Sequence, residues 1–549
     1  MAKIEGHKIN INTLFSSEYF FRIPEYQRPY SWSKENCEQL FDDVFESDRD
    51  NEYFLGTIIA QEVSKSGNAT NYDVIDGQQR MTTLQIFMAC LRDIVEDKDY
   101  KDPLRNYIYQ PKNPVSGIEE RDRLEVKERN FFKSKVQSDG ATADISRLPN
   151  LTDQQENIVN AIDVFKEKLS ELKQGEIESL VSHISQHCIV IFVATEKFDD
   201  AFRMFSIIND RGIDLRRIDI LKAKNLGHDI MPDVSLRKEY SKKWEQMEDD
   251  LGSDEFERLI NIIKLIEIKQ KSNSELVKVF DELFKKGRIK LGEDFIDYVF
   301  EYKVIYADLV LNGSLLNGYE DKCRFNSLIG IMKDYLRGSE WLAPLLFYYK
   351  KFKSDNIFDF LAKLERSYAF SWFSGETKDK RIMTMCSILK EIDRSSVSQE
   401  VLRSECFNID SEKYVEILKS KDFYKRNFVK YALVRLEYLK SDISSERKFG
   451  AVSIEHILPV NPKDGSNWKK DFSDEERDFW TNNIANLVLL SKKKNSSASN
   501  HDFNVKKSKY LKDKISDLPR SLSLITEDEW NPVVLNKKLE EIIDLMVYS

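Results

Sequence analysis

A chain of 549 residues, 32% charged and 41% hydrophobic, is too long for one hydrophobic core and too apolar to be disordered. A net charge of −10 excludes a protein that coats nucleic acid indiscriminately, although a local patch of cations would still serve a phosphate backbone. No apolar run approaches the roughly 18 residues of a membrane span, MAKIEGHKININTLF has no hydrophobic leader core, and the six cysteines form no CxxC pair. These features predict a cytoplasmic protein with free thiols, no membrane contact, and neither zinc ribbons nor disulfides.

The first 100 residues mix short β-rich runs, YFLGTIIA (53–60) and YDVID (72–76), with helical patterns. IPEYQRPYSW (23–32) reads as an exposed string in which Arg28 alternates with Tyr26, Tyr30 and Trp32. These aromatic residues suit stacking on a base or a nucleotide, or burial in the core. YDVIDGQQRMTTLQ (72–85) predicts a strand ending at Asp76, a turn at Gly77 and a helix opening with Gln78, Gln79 and Arg80. Such a junction points free backbone N–H groups and a partial positive charge outward, which suits a phosphate. Arg80 on the first turn would add a forked cation. Further on come a helix to about Leu172, the strand CIVIFVA (188–194), and FRMFSIINDRG (202–212), a helix from Asp199 that ends at a polar turn with Arg203, Asn209 and Arg211.

From 233 to 445 the spacing predicts mostly helix. Pro344 is the only proline there, and FDFLAKLERSYAFSWF (358–373) and NFVKYALVRLEYL (427–439) repeat apolar residues at helical intervals.

The last part holds SIEHILPVNP (453–462) and NIANLVLLSKKKNSSASN (483–500). The outline is strand, loop, strand, polar turn and basic helix, as in a ββα-metal site. A neutral imidazole, His456, can take a proton from the water that attacks a phosphodiester. A carboxylate and an amide oxygen suit one hard cation, Mg²⁺ or Mn²⁺. Between Ser491 and Lys514 eight lysines stand against Asp502 and Asp513, and Lys493, Lys506 and Lys507 are expected to meet DNA phosphates.

This C-terminal region resembles an HNH endonuclease, and the Asn486–Asn495 interval is similar to that in the HNH domain of CRISPR-guided nucleases. The resemblance makes His456 the general base, Glu455 a metal ligand and Asn495 the second ligand, with Asn486 fixing the loop and the histidine. Many HNH sites carry aspartate where Glu455 stands, and Asn500 and His501 compete with Asn495 for the last ligand position.

IPEYQRPYSW, DGQQR and INDRG together resemble the ParB-related N-terminal domain of GmrSD-type, modification-dependent (type IV) restriction enzymes. That resemblance implies nucleoside triphosphate binding and hydrolysis around Asp76, Gly77, Gln78, Gln79, Arg80 and Arg28, without a Walker A loop. The implied fold is α+β and predominantly helical: a ParB-like α/β domain at 1–230, a helical middle at 231–399 and a ββα-metal nuclease at 400–549. The implied function is a prokaryotic, nucleotide-regulated restriction endonuclease directed at foreign, modified phage DNA. A nucleotide-gated DNA-binding regulator without cleavage, an RNA-cleaving abortive-infection toxin and a homo-oligomeric state stay open.

Overall fold

The computed structural model describes residues 4–66, 69–113, 115, 119–143, 150–198, 200–201, 204, 216–450, 452–491, 501–511 and 518–548. The chain forms two compact units. Met1–Glu245 with Leu291–Glu293 make the first, and Gln246–Lys290 with Asp294–Ser549 the second. The fold is α+β and predominantly helical.

In the first unit a six-stranded mixed sheet runs in the order β1-β8-β3-β4-β2-β7. Its strands are β1 (Ile4–Asn10), β2 (Tyr19–Arg22), β3 (Tyr53–Ser66), β4 (Ala69–Asp76), β7 (Leu124–Glu125) and β8 (Cys188–Thr195). A separate pair joins β5 (Tyr109–Gln110) to β6 (Arg121–Asp122). The apolar run of β8 suits an inner strand, here antiparallel to β1 and parallel to β3. On one face Tyr19, Phe21 and Tyr72 stack, with Phe192 edge-on against all three. β3 and β4 pair antiparallel, and β4 runs directly into helix Gln78–Ile94. That helix is buried from Met81 to Arg92, and its Phe87 stacks on Phe165 of helix Asp153–Ser170 with ring centroids 4.5 Å apart.

In the second unit the helical middle and the C-terminal segment pack together. Glu365 on helix Ile357–Phe373 accepts from Tyr431 OH and, at 2.9 Å, from Arg435 Nε on helix Val429–Leu439. Glu437 on the same helix accepts the Arg520 backbone N–H at 2.9 Å, and Ser521 Oγ donates to Leu489 O at 2.7 Å. These buried polar ties join the middle to a two-stranded antiparallel hairpin, β9 (Val452–His456) with β10 (Leu487–Ser491). Among the described residues no helix is long and apolar enough to cross a membrane.

Candidate active site

The hairpin sets the positions of the C-terminal candidates. His456 ends β9 opposite Leu487, and Glu455 lies opposite Val488. His456 Nε2 is 3.1 Å from Asn482 Oδ1, and the ring packs against Tyr424 at 4.4 Å, edge to face. Tyr424 is tied to the same asparagine, because its backbone N–H donates to Asn482 O at 2.9 Å. Burial lowers the His456 pKa below the usual imidazole value, outweighing the opposite pull of the Asn482 contact and Glu455. The ring is therefore neutral at neutral pH. With Nε2 donating to the amide oxygen, its proton sits on Nε2 and the Nδ1 lone pair can accept one.

Asn486 is fully buried and its amide is saturated. Its Oδ1 accepts from Leu458 N at 2.7 Å and Trp530 Nε1 at 3.1 Å. Its Nδ2 donates to Leu458 O at 3.0 Å and Thr481 O at 2.9 Å. The backbone adds Ile457 N to Asn486 O at 3.1 Å. One side chain thus staples the turn after β9 to the turn before β10, and His456 and Asn482 stand on those two turns.

In the first unit, IPEYQRPYSW and DGQQR form a single structure. Gln27 Nε2 donates to Ile75 O at 3.0 Å, and Gln79 clamps the loop through Pro29 O at 3.0 Å and Ser31 N at 2.8 Å. Tyr30 OH meets Thr83 Oγ1 at 2.8 Å. Gly77 caps the helix at φ +89°, and a Cβ there would lie 3.1 Å from Ile58 Cγ1, so both conformation and space call for glycine. Burial raises the Asp76 carboxyl pKa, partly offset by the Gly77 N–H and Arg80. Arg28 pairs with Asp219. The cavity lined by Arg28, Gln78, Gln79 and Lys127 holds about 10 Å³, room for no more than a water molecule.

Residues 11–226 match the family model described as "GmrSD restriction endonuclease, N-terminal domain", and residues 409–545 match "GmrSD restriction endonucleases, C-terminal domain". The chain belongs to the GmrSD restriction endonuclease family. No curated protein matches it. The C-terminal GmrSD match encloses the β9–β10 hairpin, and the N-terminal one encloses the joined IPEYQRPYSW and DGQQR motifs.

Several expectations change in this GmrSD chain. Lys506, expected on an open DNA-facing surface, is buried. It is 1% exposed, and its Nζ donates to Glu455 Oε1 at 2.9 Å and to His456 O at 2.6 Å. Lys507 Nζ is likewise turned inward, to Glu527 O at 2.6 Å. Arg80 is no open fork, since its Nη1 donates to Thr57 O at 3.0 Å and its guanidinium lies against Gly56. Tyr26 and Tyr30 are buried and Trp32 packs against the core, so the aromatic string is not an exposed surface. Asn495, Asn500, Lys493, Asp199, Arg203 and INDRG lie outside the described residues. His501 accepts Trp468 Nε1 on its backbone oxygen at 3.0 Å. Asn482 and Tyr424, which touch the imidazole, carry no motif signal in the sequence.

Proposed function

We propose that this restriction endonuclease cuts phosphodiester bonds at an HNH-type site centred on His456. The observation that carries the reading is a neutral, oriented imidazole beside a carboxylate at the end of a stapled hairpin, within the C-terminal GmrSD match. Water near Nδ1 gives its proton to His456 as its oxygen attacks phosphorus. The P–O bond to the leaving oxygen then breaks, and that oxygen takes up a proton from solvent. Asn482 and Asn486 are positioning residues. The first fixes the tautomer and the second the turn.

Among the described residues no three His, Cys, Asp or Glu side chains form a metal-holding group. A carboxylate such as Glu455 is nevertheless a donor type that suits a hard cation. Glu455 already turns Oε1 to a positive charge, the Lys506 ammonium, and an amide oxygen from Asn495 would complement it. Glu455 and Asn495 would hold Mg²⁺ or Mn²⁺, which when bound supplies charge neutralisation at the scissile phosphate. In the N-terminal unit the joined motifs would bind and hydrolyse a nucleoside triphosphate beside Arg28, Gln78 and Gln79, whose cavity must open beyond its present volume of about 10 Å³ to admit it, with Asp76, Gly77 and Arg80 shaping the junction. The target is modified phage DNA.

The test is incubation of wild type and His456→Ala with unmodified plasmid, modified phage DNA and RNA. Each is run with Mg²⁺ or EDTA and with or without ATP or GTP. Folded His456→Ala should lose cleavage by about 10²–10⁴-fold, and normal cutting by that variant would overturn the site. Cutting confined to RNA would overturn the DNA target.

A further inference from the structure

Two cations that line the small cavity of the N-terminal unit, Lys127 and Arg28, are occupied by the protein's own carboxylates, and Lys222 shares the carboxylate of Lys127. Lys127 Nζ donates to Glu245 Oε1 at 2.5 Å, and Lys222 Nζ to the same oxygen at 3.0 Å, with Ser241 Oγ 3.4 Å away. Lys222 is only 5% exposed. Burial would raise the Glu245 pKa, but Lys222 and Lys127 outweigh it and hold the carboxylate ionised. One turn along the helix from Lys222, Asp219 holds Arg28 in the same way. Lys127 and Arg28 line the cavity together with Gln78 and Gln79. Gln78 Oε1 is buried without a hydrogen-bond partner among the described residues.

Glu245 belongs to neither motif. It comes from helix Val234–Leu251, where Arg237, Ser241 and Glu245 follow one another at intervals of four and so share one face. That face holds the loop carrying Arg28. Arg237 Nε is 3.6 Å from Glu25 Oε2, and Ser241 Oγ donates to Glu25 O at 2.8 Å. Residues 246–251 of the same helix belong to the second unit.

We propose that Lys127 and Lys222 are the seat of a phosphate group of a nucleoside polyphosphate, occupied in this structure by Glu245 as an internal surrogate. Carboxylate and phosphate oxygens offer an ammonium the same acceptor, and an oxyanion with several oxygens satisfies two ammoniums better than one shared atom. The ligand must therefore displace Glu245. Its apparent affinity is reduced by the fraction of time Glu245 stays seated. Displacement also removes the ties of helix Val234–Leu251 to Lys127 and Lys222, leaving Arg237 and Ser241 to hold Glu25 of the 23–32 loop. This inference rests on the nucleotide reading above and adds its binding cations and its internal competitor.

The experiment is isothermal titration of the full chain with ATP, GTP, sodium tripolyphosphate and a DNA duplex, using wild type, Glu245→Gln and Lys127→Ala. Glu245→Gln should bind nucleotide and tripolyphosphate about tenfold more tightly, and Lys127→Ala about tenfold more weakly, with duplex affinity unchanged. Hydrogen exchange at residues 241–249 should quicken when nucleotide binds wild type, a readout that does not require Glu245→Gln to fold. Equal nucleotide binding by all three proteins with unchanged exchange would overturn the inference and leave the nucleotide reading standing. If none binds nucleotide or tripolyphosphate, both fall. If duplex affinity alone follows the substitutions, the phosphate belongs to DNA and the polyphosphate assignment is wrong.

Discussion

Lys506→Met separates two views of the basic helix Phe503–Leu511. The ammonium is 1% exposed and bonded to Glu455 Oε1 and His456 O. Removing one partner of a buried ion pair leaves the other short of its counter-charge, at a cost of about 3–5 kcal/mol. At about 2 °C per kcal/mol for a unit of this size, melting should fall by roughly 6–10 °C. Glu455→Gln should cost a comparable amount, because it leaves Lys506 facing a neutral amide. The double substitution should then be milder than the sum by about 2–3 kcal/mol. Differential scanning fluorimetry of the four proteins closes this cycle, and DNA binding measured against salt supplies the contrast. A phosphate-contacting lysine would instead leave the melt unchanged and reduce the log–log salt slope by about one. A melt within about 1 kcal/mol of wild type together with a flattened slope would refute the buried pair.

Asn482→Ala should leave the melt nearly intact yet lower the single-turnover cutting rate by about tenfold, since only the imidazole loses its orienting partner; a wild-type rate would mean the ring is held by other contacts. Asn486→Ala should lower stability by about 2–4 kcal/mol, because it strands the buried Leu458 and Trp530 N–H donors, and a silent melt would remove the staple. Gly77→Ala should destabilise the N-terminal unit by more than about 1 kcal/mol through the left-handed φ and the Ile58 contact; an unchanged transition for that unit would show that the junction tolerates a side chain.

The C-terminal constellation is legible because its chemistry is written in short stretches. An acid–histidine pair on a β-branched run, a second apolar run and an ordered asparagine already state strand, loop and strand. Contacts made by residues outside any pattern are not legible. Asn482 lies one residue beyond the helix Asp474–Trp480 and its cap, and Tyr424 comes from more than fifty residues earlier. The inward turn of Lys506 does leave a trace. Phe503 is buried, and Lys506 and Lys507 follow it by three and four residues, so both share its face of the helix, with Lys507 Nζ 5.9 Å from the centre of the Phe503 ring. Counting lysines treats the run as one surface, whereas the helical period sets Lys506 and Lys507 on the inward face beside Phe503.

The DGQQR junction illustrates the same limit in the other unit. Strand, glycine and helix follow from the residue types, and β4 does end at Asp76 before the Gly77 cap. The direction of Arg80 does not follow, because it depends on a residue two strands' length away in sequence. Side chains on a helix lean toward its N-terminus, so an arginine at the third helical position sweeps back over β3. It can rest there only where β3 has no side chain of its own. Gly56 provides that gap, since a Cβ at this position would stand 2.8 Å from Arg80 Cζ. The guanidinium therefore closes on Thr57 O, and the cations left facing the small cavity are Arg28 and Lys127. The phosphate contacts proposed for this unit would then fall to residues that sequence spacing alone never brings together, with Arg80 bracing the junction behind them.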